Sequence, residues 1–498
     1  MTRHCIRGAE VLRGAAQEAP GRADIWIEDG RIAALTVPGG KAFFETEQQI
    51  DGSGCLAIPG LVNAHTHSQS ALLQGTVLGE PLDLYVLRAI ARRAPRSARA
   101  VHVSATLHAA AMLRRGITAH VDHLRDGLLP SVEGCSATLA AYRDIGIRAT
   151  VAPMYEDRVY LDSLPPEAQA LPPAVRARYQ AAKRPPPREY FAVMEELLPR
   201  WRGAEGRLDL LLGVDGPQRC TRALLEMTGE FAARHAIGLH THLLEAKTQH
   251  LMAPADCGGS FVRYLDRFGL IGPRSSLAHF VWCTEDDIAL AAERRVNVVH
   301  NPSSNLLLGS GVLPLERLLR AGVSVALGTD GQSGAAVSIL EAAKLASLIS
   351  RVCNTDPARW VEARSVFRLA TEGGAAVLGL AGQAGRLEPG ARADLALIDV
   401  RGLEWQPRGN VYNHLVMYEN GANVRTVLVE GEVVVRDGRC TRVDEAALLA
   451  EAQDIAAGLE RANAPLLADL ERDAPHLLGA LRAALDRPTA LNRFTRLS

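Results

Sequence analysis

At 498 residues, 47% of them hydrophobic and 22% charged, the chain has a globular composition and room for one large domain with a satellite. A formal net charge of -1 at pH 7 leaves no field to gather nucleic acid or an anionic membrane surface, so a small-molecule partner is expected. There is no run of about 18 apolar residues, no apolar core of signal-peptide length near the start and no C-x-x-C among the eight cysteines, so a cytoplasmic protein with reduced thiols is expected.

In chain order, residues 1–58 carry alternating strand-like runs such as "ADIWIEDGRIAAL", joined at a D-G turn. From residue 59 onward short apolar runs alternate with helical patterns: "LVNAHTH", "GITAHVDH", "GIRATVAPM", "LDLLLGVDG", "IGLHTHLLE", "SSLAHFVW", "VNVVHNPSSN" and "SVALGTDG". Continuous apolar strands separated by helices read as a parallel sheet covered on both faces, and eight such units close a (β/α)8 barrel. The predicted fold class is therefore α/β, a TIM-like barrel over residues 59–385.

Alternation returns within residues 386–442 in "ADLALIDVRG" and "VRTVLVEGEVVVRDGR"; with residues 1–58 this predicts a small composite β-sandwich domain. Residues 443–498 show amphipathic spacing and predict a C-terminal helical extension that packs on the body or pairs subunits. A homodimer or higher homo-oligomer is expected. Between the third and fourth strands, the insertion 155–206 holds proline clusters in "LPPEAQALPPAVRARYQAAKRPPPREY". It leaves from the catalytic end and is either a lid or a surface excursion.

The stretch "PGLVNAHTHSQSALLQG" places His65 and His67 one residue apart at the end of an apolar run. On a strand both side chains point the same way and reach one ion, yet H-x-H alone is more often a pair of interior histidines. Later strand ends repeat the theme: His240, His242 and Glu245 in "GLHTHLLEAK", His279 in "LAHF", His300 in "HNPSSN" and Asp330 in "GTDG". Burying these groups in a core requires each to be satisfied separately, whereas one metal ion satisfies most of them together. Three imidazoles and a carboxylate suit Zn(II), with Fe(II) as an alternative. Water on such an ion ionises near neutral pH, and Glu245, three residues past His242, is placed to shuttle its proton.

The motifs "PGLVNAHTH", "HTHLLE", "AHF", "HNPSSNLLLGSG", "LGTDG" and "GRLEPGARADLALIDV" together resemble the amidohydrolase superfamily. Within it, the chain is similar to the aminohydrolases grouped with adenosylhomocysteine and methylthioadenosine deaminases, guanine deaminase and triazine hydrolases of the ATZ/TRZ type. The resemblance runs to residue 442 and leaves out the proline-rich insertion and the C-terminal tail. It implies that His65, His67, His242 and Asp330 bind one divalent metal. It also implies that His279 polarises the attacking water beside Asp330, which accepts its proton, and that Glu245 protonates the ring nitrogen next to the carbon attacked, so that ammonia leaves. The fourth strand ends "LLLGVDGPQ", without a lysine to bridge two metals, so a mononuclear site is expected. The H-x-E with P-C-x-x-C of cytidine-deaminase zinc sites is absent.

Substrate-reading positions depart from the resemblance. Gln74-Gly75 stands where many relatives carry Arg-Gly, Tyr85 falls near where they carry a tryptophan, and "VDGPQRC" stands in place of a "PHS", which argues against a nucleoside. Asp215 and Gln218 are expected either to read a heterocycle by hydrogen bonds or to be structural. His123, His240 and His300 either line the pocket or pack behind it. The expected function is deamination of an amino-substituted purine, pterin, pyrimidine or triazine by a mononuclear metal-dependent hydrolase. Cyclic-amide, dechlorinating or N-dealkylating hydrolysis by the same water is an alternative, and so is a non-catalytic barrel serving as a binding or scaffold protein.

Overall fold

The computed structural model describes residues 3–46, 48–76, 79–92, 94–180 and 184–494. Eight parallel strands form its centre: β1 (Leu61–His67), β2 (Ile117–Leu124), β3 (Arg148–Tyr155), β4 (Leu212–Val214), β5 (Leu239–Leu243), β6 (Ser275–His279), β7 (Asn297–His300) and β8 (Ser324–Leu327). They pair in sequence from β8 back to β1, and Asp330–Gly331, just past β8, pairs with Thr66 and His67 of β1 to bring the two edges together. Ala64, Val121, Val299 and Ala326 pack inside this barrel with Val377, while Ile117, Val151, Leu212, Leu277, Val298 and Leu327 join the layer beneath the outer helices. Burial on both faces is why these strands read as unbroken apolar runs. The fourth run breaks at Leu211: Leu208–Leu210 pairs only with β3, and β4 bridges β3 and β5.

Residues Arg3–Pro59 and Leu395–Cys440 contribute nine strands to a second sheet around its own core of Ile6, Ile25, Ile27, Ala57, Leu395 and Leu428. Its hairpins turn where D-G and E-G dipeptides stand. Asp29 and Gly30 have φ of 47° and 76°, the doubly positive pair of the tight turn that matches strand twist, and Glu430–Gly431 and Asp437–Gly438 repeat it. The cis Gln406–Pro407 bond lies on the connection between its strands. This sheet runs straight into the barrel across Gly60 and is pinned by Arg148 of β3, whose guanidinium pairs with Asp394 at 2.8 Å.

Part of the proline-rich insertion is an ordinary barrel helix. Pro187–Trp201 buries Tyr190, Met194 and Leu197 in the main core. Only the preceding segment, with its short turns at Tyr160–Ser163 and Pro166–Gln169, rises over the catalytic end. There it meets helix α1 (Leu82–Ala91), helix α2 (Lys247–Cys257), which follows β5, and helix α3 (Glu445–Asp486), which forms most of the C-terminal extension. Leu84 and Leu87 of α1, Tyr160, Leu161 and Leu164 of the insertion, and Leu470, Leu477 and Leu481 of α3 make one separate apolar cluster. Tyr160 Oη and Thr248 Oγ1 both donate to the buried Asp83 carboxylate of α1, at 2.7 and 3.1 Å, and join three parts of the cap. Among the described residues no helix is long and apolar enough to cross a membrane.

Candidate metal centre

His65, His67, His242, His279, Glu245 and Asp330 converge at the C-terminal ends of β1, β5, β6 and β8, all of them at most 9% exposed. A parallel barrel places its site at this end because the loops there are free to vary without disturbing the strands. His67 Nε2 lies 3.0 Å from Asp330 Oδ1, His65 Nε2 3.4 Å from the same oxygen, and His242 Nε2 3.3 Å from His67 Nε2. Ligands about 2.0–2.1 Å from one tetrahedral ion sit about 3.3 Å apart, which is this spacing.

The other nitrogen of each ring explains the orientation. His67 Nδ1–H donates to the His123 carbonyl (2.6 Å) and His242 Nδ1–H to the Asp215 carbonyl (2.7 Å). His65 Nδ1 is 2.7 Å from His240 Nε2, and His240 Nδ1 is 2.6 Å from Ser276 Oγ, a relay that fixes the His65 tautomer. His67 and His242, with Nδ1–H engaged, therefore turn Nε2 lone pairs toward each other, with His67 also facing Asp330, and His65 Nε2 has no hydrogen-bond partner among the described residues. Lone pairs facing one another and a carboxylate at these distances repel unless a cation lies between them, so the donor set fits a divalent metal. Burial pulls the His65, His240 and His123 imidazoles well below their usual range and keeps them neutral.

Beside these donors sits a proton-handling group. Asp330 Oδ2 accepts from Ser304 Oγ (2.6 Å) and lies 3.8 Å from His279 Nε2; Asn305 Oδ1 accepts from His279 Nδ1–H (2.8 Å). Glu245 Oε1 is 3.6 Å from the His279 ring. Burial, reinforced by the Asp330 charge, pushes the Glu245 carboxyl up to about 8, so it carries a proton at neutral pH. His279 and Asp330 have φ of 74° and 60°, and Gly328 admits no side chain, since a Cβ there would lie 2.3 Å from Asn301 Oδ1 and 2.9 Å from the His65 carbonyl. Strained backbone of this kind persists where the surroundings hold it and clusters at functional sites.

The other expected site residues are dispersed. His123 lies inside the donor cluster: its ring is 4.6 Å from that of His242, and both its nitrogens lack partners among the described residues. Tyr85 Oη reaches Ser333 Oγ at 3.2 Å, and burial with the Asp330 charge pushes its phenol up to about 12. Asp215 is fully engaged, by His242 Nδ1 at 3.1 Å, Arg125 at 2.8 Å and Arg219 at 2.7 Å, so it orients a ligand histidine instead of standing free to read a heterocycle. Gln218 is buried beside it with an unpartnered carboxamide oxygen. Gln74 is exposed at the end of the Ser68–Leu73 turn. His300 leaves the site: Val299 takes the barrel interior, so His300 faces outward and lines a cavity of about 550 Å³ with Leu313, Arg359 and Phe494. Ser304 and Asn305 stand in "HNPSSN" without having been singled out from the sequence, and for Arg125 and Arg219 no spacing gave a signal.

Comparison with known proteins agrees with this geometry. The Amidohydrolase family profile matches residues 56–434. The chain is 33% identical over 455 residues to a 5-methylthioadenosine/S-adenosylhomocysteine deaminase of Desulforudis audaxviator, covering 90% of this chain and 97% of that protein. A zinc-bound adenosine deaminase from Xanthomonas campestris superposes with a TM-score of 0.80 at 27% identity over 92% of this chain and 99% of its own. A zinc complex of an atrazine chlorohydrolase from Arthrobacter aurescens does so with a TM-score of 0.80 at 25% identity, over 91% of this chain and 100% of its own. With histidines and an aspartate from the ends of four barrel strands aimed at one point, and with the profile spanning every one of those strands, the chain belongs to the amidohydrolase family.

Proposed function

We propose that the protein is a mononuclear metal-dependent aminohydrolase that removes the amino group of a nitrogen heterocycle as ammonia. The observation that carries this reading is the buried Glu245 carboxyl 3.6 Å from the His279 ring, which itself faces Asp330, in surroundings that push the carboxyl up to about 8. His65, His67, His242 and Asp330 would hold one Zn(II), with Fe(II) as the alternative. When bound, the ion supplies Lewis acidity that makes water nucleophilic at neutral pH.

The residues of the chain do the rest. Because Asn305 fixes the His279 Nδ1 proton, Nε2 presents a lone pair that orients and polarises the attacking water, and Asp330 Oδ2 beside it takes that water's proton. Ser304 holds the same oxygen in place. Glu245 donates its proton to the ring nitrogen beside the carbon attacked, which lets ammonia depart once the amino group is protonated. The cap of α1, α3 and the insertion excludes water from this end.

The departures at Gln74 and Tyr85 weigh against a nucleoside, while the relatives carry the names of adenosine-derivative deaminases. Adenosine derivatives therefore enter the test beside aminopurines, pterins, aminopyrimidines and aminotriazines. The likeness to a chlorohydrolase keeps halide or alkylamine displacement by the same water as the second reading. The eight free cysteines, all but Cys353 buried, support a reducing compartment such as the cytoplasm. Metal analysis of the purified protein with ammonia and chloride assays over these rings tests the proposal. About one equivalent of zinc or iron with ammonia from one ring class is the expected result, and a metal-free protein that releases neither product would overturn it.

A further inference from the structure

The C-terminal extension, beyond the span of the family profile, reaches the loops that carry the proton-handling group. α3 ends beside α2, where the buried Lys247 ammonium donates to the carbonyls of Leu485 (2.5 Å) and Arg487 (2.6 Å). The last carbonyls of a helix lack partners within it and carry the negative end of its dipole, so an ammonium is held there by two acceptors and by the helix field. Lys247 begins α2 two residues after Glu245, whose backbone N–H donates to Gln249 Oε1 (2.9 Å) in the same first turn. Past α3, Arg493 donates to the Val281 carbonyl (2.9 Å) and the Cys283 carbonyl (2.7 Å), and its own carbonyl accepts from Val312 N (2.9 Å). Phe494 places its ring edge-on 5.1 Å from that of Trp282. These contacts fall on the segments that follow β5, β6 and β7, next to Glu245, to His279 at the end of β6 and to Asn305. Leu244, His279 and Phe280 in them have φ of 51°, 74° and 53°, conformations that need outside support to persist.

We propose that the C-terminal extension is a strap that sets the geometry of the Glu245–His279 pair, with Lys247 and Arg493 as its positioning residues. Its kinetic consequence rests on the deaminase reading; its structural consequence does not. Full-length, zinc-loaded Lys247→Met, Lys247→Arg and Arg493→Ala proteins are compared with the parent by hydrogen exchange over residues 243–250 and 279–284. Metal content is measured on each, and kcat and KM on the ring the parent deaminates. Lys247→Met and Arg493→Ala are expected to speed exchange in both segments at least about tenfold and to lower kcat about 10–100-fold, with metal retained and KM within about twofold. Lys247→Arg restores both. Unchanged exchange would overturn the strap whatever the substrate, and faster exchange with unchanged kcat would overturn the positioning role. Loss of metal in step with kcat would also overturn it, because the strap would then support the metal donors. A parent that releases no ammonia fails the reading of function alone, and exchange then decides the strap. Should Lys247→Met not fold, Arg493→Ala carries the same comparison.

Discussion

Asp330 is the residue on which the chemistry of the site turns. One carboxylate oxygen faces His65 and His67, and the other takes the Ser304 hydroxyl and faces His279, so a single side chain is placed to serve both the proposed metal binding and the proposed proton transfer. Burial alone would raise its carboxyl, yet the His65, His67 and His279 imidazoles facing it outweigh that and hold it well below the usual carboxylate range. Glu245 is pushed the other way by burial and the Asp330 charge, and two carboxyl groups driven apart in this manner fit the proposed base and acid. Glu245→Gln is expected to keep its metal and to lose turnover by about 10²-fold or more, whereas His242→Ala loses both; metal analysis beside an activity assay separates the two, and undiminished turnover in Glu245→Gln would refute the acid role. Asn305→Ala frees the His279 ring, and a fall in kcat of about 10–100-fold with metal retained is the expected result. The residues that converge here were legible at this scale because the proposed ligand and acid roles accept few side chains. Asn305 and Ser304 were not, since an amide and a hydroxyl serve caps and turns throughout any chain.

At the scale of elements, the extension and the insertion are each incomplete alone. The insertion between β3 and the Pro187–Trp201 helix brings Tyr160, Leu161, Leu164 and Ala168 to this cluster, and α3 supplies Leu470, Leu477, Leu481 and Ala484 against them and α1. Amphipathic spacing revealed that α3 would have a buried face; it could not name the partner, because helix spacing is a local property and the matching surface lies about 300 residues earlier in the chain. Leu470 is completely buried, and Leu470→Ala is expected to weaken this cluster by about 2–5 kcal/mol. Limited proteolysis checks it: cleavage within residues 160–180 should quicken while the barrel stays resistant, and an unchanged digestion rate would mean that the insertion stands without α3.

For the whole molecule, the composite sheet matters through its joint with the barrel. Arg148 on β3 and Asp394 in the sheet, with side chains 4% and 5% exposed, form a charge pair shielded from water, and Glu430 adds a third charge. Removing one partner leaves the other buried and uncompensated, which costs more than the pair contributes. Arg148→Met is expected to destabilise the protein by about 3–5 kcal/mol, seen as a lower urea midpoint, with the metal affinity of the folded protein unchanged because the catalytic end lies across the barrel.

By itself the sequence determined the eight parallel runs, the hairpin turns at D-G and E-G, and the histidines and acids at strand ends, because each is written in spacing over a few residues. Tertiary structure alone decided the rest. Asp215 became a support of His242 only because Arg125 and Arg219 meet it from separate loops, and His300 faced outward only because Val299 took the barrel interior. Lys247 found the end of α3 across 238 residues of chain. A strand or a turn follows from its neighbours in sequence, whereas the partner of a buried charge depends on which surfaces pack together, and packing satisfies many distant segments at once.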